Sequence, residues 1–189
     1  MTALAGTRDN GTRWLTQVQE ASMPDWLINA LVFLGVFFGM EGVAWGTHKY
    51  VMHGSLWSLH ESHHRERESW FELNDLFGFF FSFISIGLIL AGTFWYAPLL
   101  WAGLGMAAYG LVYFLVHDVL VHRRLEHGFV PRNGYLRRIY QAHRLHHATH
   151  GRDGAVSFGF IWSAPPEKLA AKLKSKTAHE IVRERPATH

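Results

Sequence analysis

Ten of the fourteen histidines fall into two copies of one pattern. The first copy is His48 and His53, then His60, His63 and His64. The second is His117 and His122, then His143, His146 and His147. Each reads HxxxxH followed by HxxHH. Histidine is the commonest side-chain metal ligand, and imidazole suits Zn, Cu, Fe and Ni. A structural zinc takes four ligands and a catalytic zinc commonly three, so ten exceed one zinc site. They fit two ions of five or six coordination, with places left for water or O₂. The chain has no Cys, which excludes thiolate ligands, disulfides and iron–sulfur clusters. Haem needs only one or two axial histidines. Carboxylate-rich di-iron bundles use two Glu-x-x-His motifs, and these clusters hold one, Glu61 to His64.

A rival motif overlaps the first copy. His60-Glu61-Ser62-His63-His64 also matches H-E-x-x-H, the zinc-protease pattern with Glu61 as general base. That reading leaves His48, His53 and the whole second copy unexplained. A metal-buffering tract is the other alternative, but such tracts are irregular, and here two spacings repeat in order. On an α-helix, i, i+3 and i+4 share a face, so His60, His63 and His64 are expected to project together, as are His143, His146 and His147. The i, i+5 pairs lie about 140° apart on an α-helix. They could straddle a site, bend the helix, or divide their ligands between two ions. Ligating histidines usually donate their other N–H to a carboxylate or carbonyl. Glu41, Asn74, Asp75 and Asp118 are the candidates for that supporting role, with a plain helix N-cap the competing role for Asp75.

These residues must be positioned by strongly apolar elements. Hydrophobic residues make up 49% of the 189-residue chain, and the net charge of +3 says little about acidic partners. Three runs, 26–47, 76–95 and 99–116, are long enough to cross a ~30 Å hydrocarbon core. The last two contain no charge and are separated by Tyr96, Ala97 and Pro98, a gap that favours a tight turn between antiparallel helices. Lys and Arg are absent from that turn. Residues 48–75 hold three of them, 117–189 hold thirteen, and the N-terminus holds only Arg8 and Arg13. The positive-inside rule then sets all four histidine clusters on the cytoplasmic side. The expectation is an all-α integral membrane protein, a bundle of three to four transmembrane helices with a cytoplasmic-face histidine-rich di-iron site. It has an N-terminal extension (1–25), a membrane domain (26–170) and a basic tail (171–189). Residues 1–25 do not read as a cleaved signal peptide.

Eight to ten histidines in such clusters are the signature of membrane desaturases and hydroxylases. The segments HKYVMHGSLWSLHESHH, FELNDLF, YFLVHDVLVHRR, PRNGYLRRIYQAHRLHHA and VSFGF narrow the likeness. Over residues 26–169 the chain resembles the bacterial carotenoid β-ring hydroxylases of the fatty-acid-hydroxylase superfamily. The resemblance implies a monooxygenase with two non-haem irons held by the ten motif histidines. It implies hydroxylation at C3 of the β-ionone ring, from β-carotene through cryptoxanthin to zeaxanthin, with ketolated rings as further substrates. O₂ is the co-substrate, and electrons come from a ferredoxin-like donor fed by NAD(P)H. The expected partners are the bilayer, the carotenoid and that donor, without nucleic acid, at the bacterial inner membrane. His127, His150, His179 and His189 lie outside the motifs and receive no ligand role. A sterol or fatty-acyl hydroxylase, a desaturase, and a non-enzymatic metal-binding protein are the alternatives. Phe77, Phe79, Phe80, Phe81 and Trp95, or Tyr113 and Phe114, are candidates to line a lateral substrate path.

Overall fold

The structure, a computed structural model, describes residues 24–65 and 69–184; most of the expected N-terminal extension lies outside them. The described residues are helical, without strands. Helix α1 spans Asp25–Gly46 and runs on as a π-helical stretch, Thr47–Ser55, broken at Gly54. A short helix α2, Trp57–His60, leads into a 3₁₀ turn, Glu61–His64. Helix α3 is Asp75–Phe94. Helix α4, Ala97–Tyr113, carries Pro98 in its first turn, where proline's missing N–H costs nothing. It continues as a second π-helical stretch, Phe114–Val121. Helix α5 is Gly134–His146 and α6 is Pro166–Glu184.

Among the described residues three helical segments are long and apolar enough to span a membrane: Asp25–Ser55, Asp75–Phe94 and Ala97–Val121. The first and third outlast the apolar runs expected from sequence, because each continues into its HxxxxH segment. At 1.5 Å per residue the 20-residue α3 is about 30 Å long. The outer faces are apolar: Phe83 and Phe94 are each 71% exposed, and Phe80 and Leu111 each 59%. Such surface is stable against lipid rather than water. The chain is an all-helical integral membrane protein.

Helix α4 packs against both α1 and α3. Glycine allows the close approach. A Cβ on Gly103 would lie 2.7 Å from Ile89 Cγ1 and 2.9 Å from the Ser85 carbonyl oxygen, and one on Gly105 would lie 2.6 Å from the Phe33 carbonyl oxygen. Small residues at helix contacts are the usual packing device in lipid, where no hydrophobic drive pulls helices together. Ser85 donates to the Gly103 carbonyl (2.8 Å), adding a polar tie between α3 and α4. Beyond the spans, Ala142 of α5, Val156 and Leu169 of α6 form a small buried cluster with Leu145 and Leu173 against it. This cluster ties α5, the segment after it and α6 together.

Candidate metal centre

His48 and His53 lie in the first π-helical stretch, and His117 lies in the second with His122 capping it. The His122 N–H donates to the His117 carbonyl (3.0 Å), and the Leu56 N–H to the Val51 carbonyl (2.8 Å); both are i→i+5 bonds. A π-turn carries residues five apart back toward one face. The pair that an ideal α-helix would splay is therefore drawn together. His48 and His53 rings lie 5.2 Å apart, and His117 and His122 rings 4.6 Å.

The ten imidazoles converge in two groups of five. His48, His53, His60, His64 and His146 form one. His63, His117, His122, His143 and His147 form the other. Within each, one ring nitrogen per residue lies within 4.8 Å of all the rest. Each copy keeps four histidines in its own group and gives one away. The histidine that crosses is the middle one of HxxHH, His63 in one direction and His146 in the other. The expectation that each HxxHH trio projects as one set is therefore corrected. In the first copy the helix tightens to 3₁₀ geometry over Glu61–His64, which sets successive side chains about 120° apart, and the His63 and His64 rings stand 6.4 Å apart.

The hydrogen bonds fix the tautomers. In the first group every Nδ1 faces an oxygen. His48 bonds the Phe158 carbonyl (3.0 Å), His53 that of Arg152 (2.8 Å), His64 that of Thr149 (2.9 Å) and His146 that of Val156 (3.2 Å). His60 bonds Asn74 Oδ1 (2.7 Å). In the second group His63 bonds Glu72 Oε2 (2.9 Å) and His117 bonds Asp118 Oδ1 (2.6 Å). With the proton on Nδ1, each of these seven rings presents a bare Nε2 lone pair. Those Nε2 atoms crowd one another: His53–His146 3.1 Å, His53–His64 3.1 Å, His60–His64 3.3 Å, His63–His117 3.0 Å. His48 Nε2 is buried with no hydrogen-bond partner. Facing lone pairs at this range repel unless a cation lies between them, so the donor set fits nitrogen-ligated metal.

Electrostatics agree. Burial, first, and neighbouring imidazoles push the His63, His143 and His146 values well below the ordinary 6.5. Burial also lowers His147. It holds His60 at about 3 and His64 at about 4. The rings stay neutral, as ligands must.

Asn74 and Asp118 each bond a motif histidine. Asp75 and Glu41 make other bonds instead. Asp75 pairs with Arg124 (2.5 Å) and accepts the Glu72 N–H (3.1 Å). Glu41 accepts backbone N–H groups of residues 160–162. Glu72 and the four carbonyls escaped the sequence reading. A carbonyl has no sequence signature, but Glu72 stands in FELNDLF beside Asn74 and could have been weighed with it. Glu61 turns outward to Arg65, away from the role of a protease base. Of the aromatic candidates, Tyr113 reaches the centre, stacked on His117 at 4.5 Å. Trp95 is 83% exposed at the opposite end of the bundle. A polar cleft lined by His63, Arg65, Glu72, Asp118, His122 and Arg124 opens beside the second group.

Comparison with known proteins agrees with this chemistry. The family pattern described as fatty acid hydroxylase matches residues 33–164. The β-carotene hydroxylase of Pseudescherichia vulneris is 53% identical over 150 residues, covering 79% of this chain and 85% of its own. That of Pantoea ananas is 50% identical over 151 residues, covering 80% and 86%. The chloroplastic β-carotene 3-hydroxylase 1 of Arabidopsis thaliana is 41% identical over 138 residues, covering 71% and 44%. No solved structure matches the chain. A histidine-lined centre at one end of a membrane bundle, and relatives of this coverage, lead to one conclusion: the chain belongs to the fatty acid hydroxylase family and groups there with proteins named β-carotene hydroxylase.

Proposed function

We propose that this chain hydroxylates C3 and C3′ of carotenoid β-ionone rings, taking β-carotene through cryptoxanthin to zeaxanthin, with two non-haem irons as cofactor. Per ring, one C–H, O₂, two electrons and two protons become one C–OH and water. The observation that carries the reading is the pair of five-imidazole groups, each a convergent set of neutral nitrogen donors. The names of the relatives supply the substrate. His48, His53, His60, His64 and His146 would hold one iron, and His63, His117, His122, His143 and His147 the other. Iron bound there supplies the redox and O₂ chemistry that no side chain provides.

The chain's own residues do the rest. Backbone carbonyls, Asn74, Glu72 and Asp118 keep the protons on Nδ1 and so keep Nε2 free for metal. The rings of Phe158 and Phe160 lie against the imidazoles on one side, and Trp57 covers His53 and His64. They exclude water from most of the centre. A carotenoid is dissolved in the bilayer, so its ring enters sideways between helices, while the polar cleft by His63 and His122 faces the aqueous side. The charge distribution supports a cytoplasmic face at the bacterial inner membrane, where a ferredoxin-like donor fed by NAD(P)H delivers the electrons. Ketolated rings fit the same chemistry.

Elemental analysis of protein prepared anaerobically with ferrous iron is expected to give about two irons per chain. With β-carotene, O₂ and reduced ferredoxin, this protein is expected to form cryptoxanthin and then zeaxanthin. One stoichiometric zinc, without iron-dependent oxidation, would overturn the reading.

A further inference from the structure

We propose that Glu41 is a positioning residue, anchoring residues 156–162 so that their carbonyls and the Phe160 ring set the orientation of His48 and His146. The proposal rests on the reading of the ten imidazoles as metal ligands. Glu41 stands inside α1, seven residues before His48, in a span otherwise free of charge after Asp25 until Lys49. An ionisable residue inside a span is costly and usually tied to function. Its carboxylate is used completely. Oε1 accepts the N–H groups of Phe160 (2.9 Å), Ile161 (3.0 Å) and Trp162 (2.8 Å). Oε2 accepts the Tyr109 hydroxyl (2.7 Å) and shares the Ile161 N–H (3.1 Å). Three successive backbone N–H groups aimed at one oxygen make an anion-binding nest.

Three observations link that nest to the metal centre. The first is Gly159. A Cβ there would lie 2.7 Å from Glu41 Oε1 and 2.4 Å from the Trp162 carbonyl oxygen, so the missing side chain is what admits the carboxylate. The second is the direction of the neighbouring carbonyls. Val156 accepts from His146 Nδ1 and Phe158 from His48 Nδ1, one histidine from each copy of the motif. The third is Phe160, the first residue of the nest. Its ring stacks on His48 (5.2 Å, 13°) and meets His117 (5.2 Å) and His143 (5.9 Å) of the other group. Between these points Ser157 has φ +62°, a left-handed conformation that a non-glycine residue keeps only when its surroundings hold it there. Glu41 supplies that hold from one side and the imidazoles from the other. A carboxylate is suited to this because its charge-assisted bonds are the strong ones.

The test uses the full-length protein in detergent, with cobalt(II) as probe. Its affinity, its stoichiometry and its visible ligand-field spectrum are read anaerobically, beside the circular dichroism of each variant. Glu41→Gln puts an amide donor against Tyr109 or the nest. Gly159→Ala displaces the carboxylate without touching it chemically, and serves where Glu41→Gln does not fold. Either folded variant is expected to bind cobalt about ten- to a hundredfold more weakly, with a shifted spectrum from the metal that remains. A folded variant with wild-type cobalt affinity and spectrum overturns the proposal, even if its unfolding temperature falls. Wild-type protein that takes up no cobalt overturns the metal reading itself.

Discussion

At the residue scale, the proposed metal binding turns on which nitrogen of each imidazole carries the proton. Seven Nδ1 atoms bond an oxygen, leaving each Nε2 lone pair bare. The spacing of the histidines singled out the ten rings that the structure brings together, because side-chain type and period are written in sequence. Their partners were only half legible. Asn74 and Asp118 are side chains close to a motif, while the carbonyls of Arg152, Thr149, Val156 and Phe158 reach histidines 10 to 110 residues away. The neutral rings carry a pH dependence. Burial holds His60 at about 3 and His64 at about 4, against 6.5 for an unperturbed histidine. The unfolded chain therefore protonates first as pH falls, which favours unfolding. Stability is intact above pH 6.5 and is lost progressively from there toward pH 4 and then 3. The metal-free protein is expected to show a flat unfolding midpoint between pH 7 and 8 and a steep fall below about pH 6. A midpoint that holds constant down to pH 4 would show that these rings are not kept neutral by the fold.

At the element scale, the π-helical stretches explain the five-residue spacing. The sequence left three ways to use HxxxxH, and the i→i+5 geometry at Thr47–Ser55 and Phe114–Val121 decides among them. Nothing in the apolar pattern announces a π-turn, because hydrophobic periodicity does not separate i→i+4 from i→i+5 bonding over so short a stretch. The 3₁₀ turn at Glu61–His64 was hidden for the same reason. Helix packing also rests on glycine. Gly103→Ala and Gly105→Ala place a methyl group against Ile89 and Phe33, whereas Gly110→Ala meets nothing within 4 Å. The first two are expected to cost about 1–3 kcal/mol each by overpacking, read as a lowered unfolding midpoint in detergent. Gly110→Ala is expected to match or exceed wild type, because alanine is the better helix former. Equal midpoints for Gly103→Ala and Gly110→Ala would contradict the close α3–α4 contact.

At the scale of the whole molecule, three spans and the segments beyond them build one centre from both copies of the motif. The spans were legible because length and the absence of charge suffice to identify them. The convergence of the clusters at one end followed from the turn at 96–98. The exchange of His63 and His146 between groups was not legible, since spacing gives neighbours along a helix and not partners across the bundle. The substrate follows from where the centre lies, at the end of a lipid-embedded bundle, and from the names of the relatives. The most direct test is to express the chain in a bacterium that accumulates β-carotene and to separate its pigments. Cryptoxanthin and zeaxanthin are expected to replace β-carotene, and the His63→Ala chain, expressed to the same level, is expected to leave β-carotene unchanged. Unaltered β-carotene in cells holding folded, iron-loaded wild-type protein would contradict carotenoid ring hydroxylation.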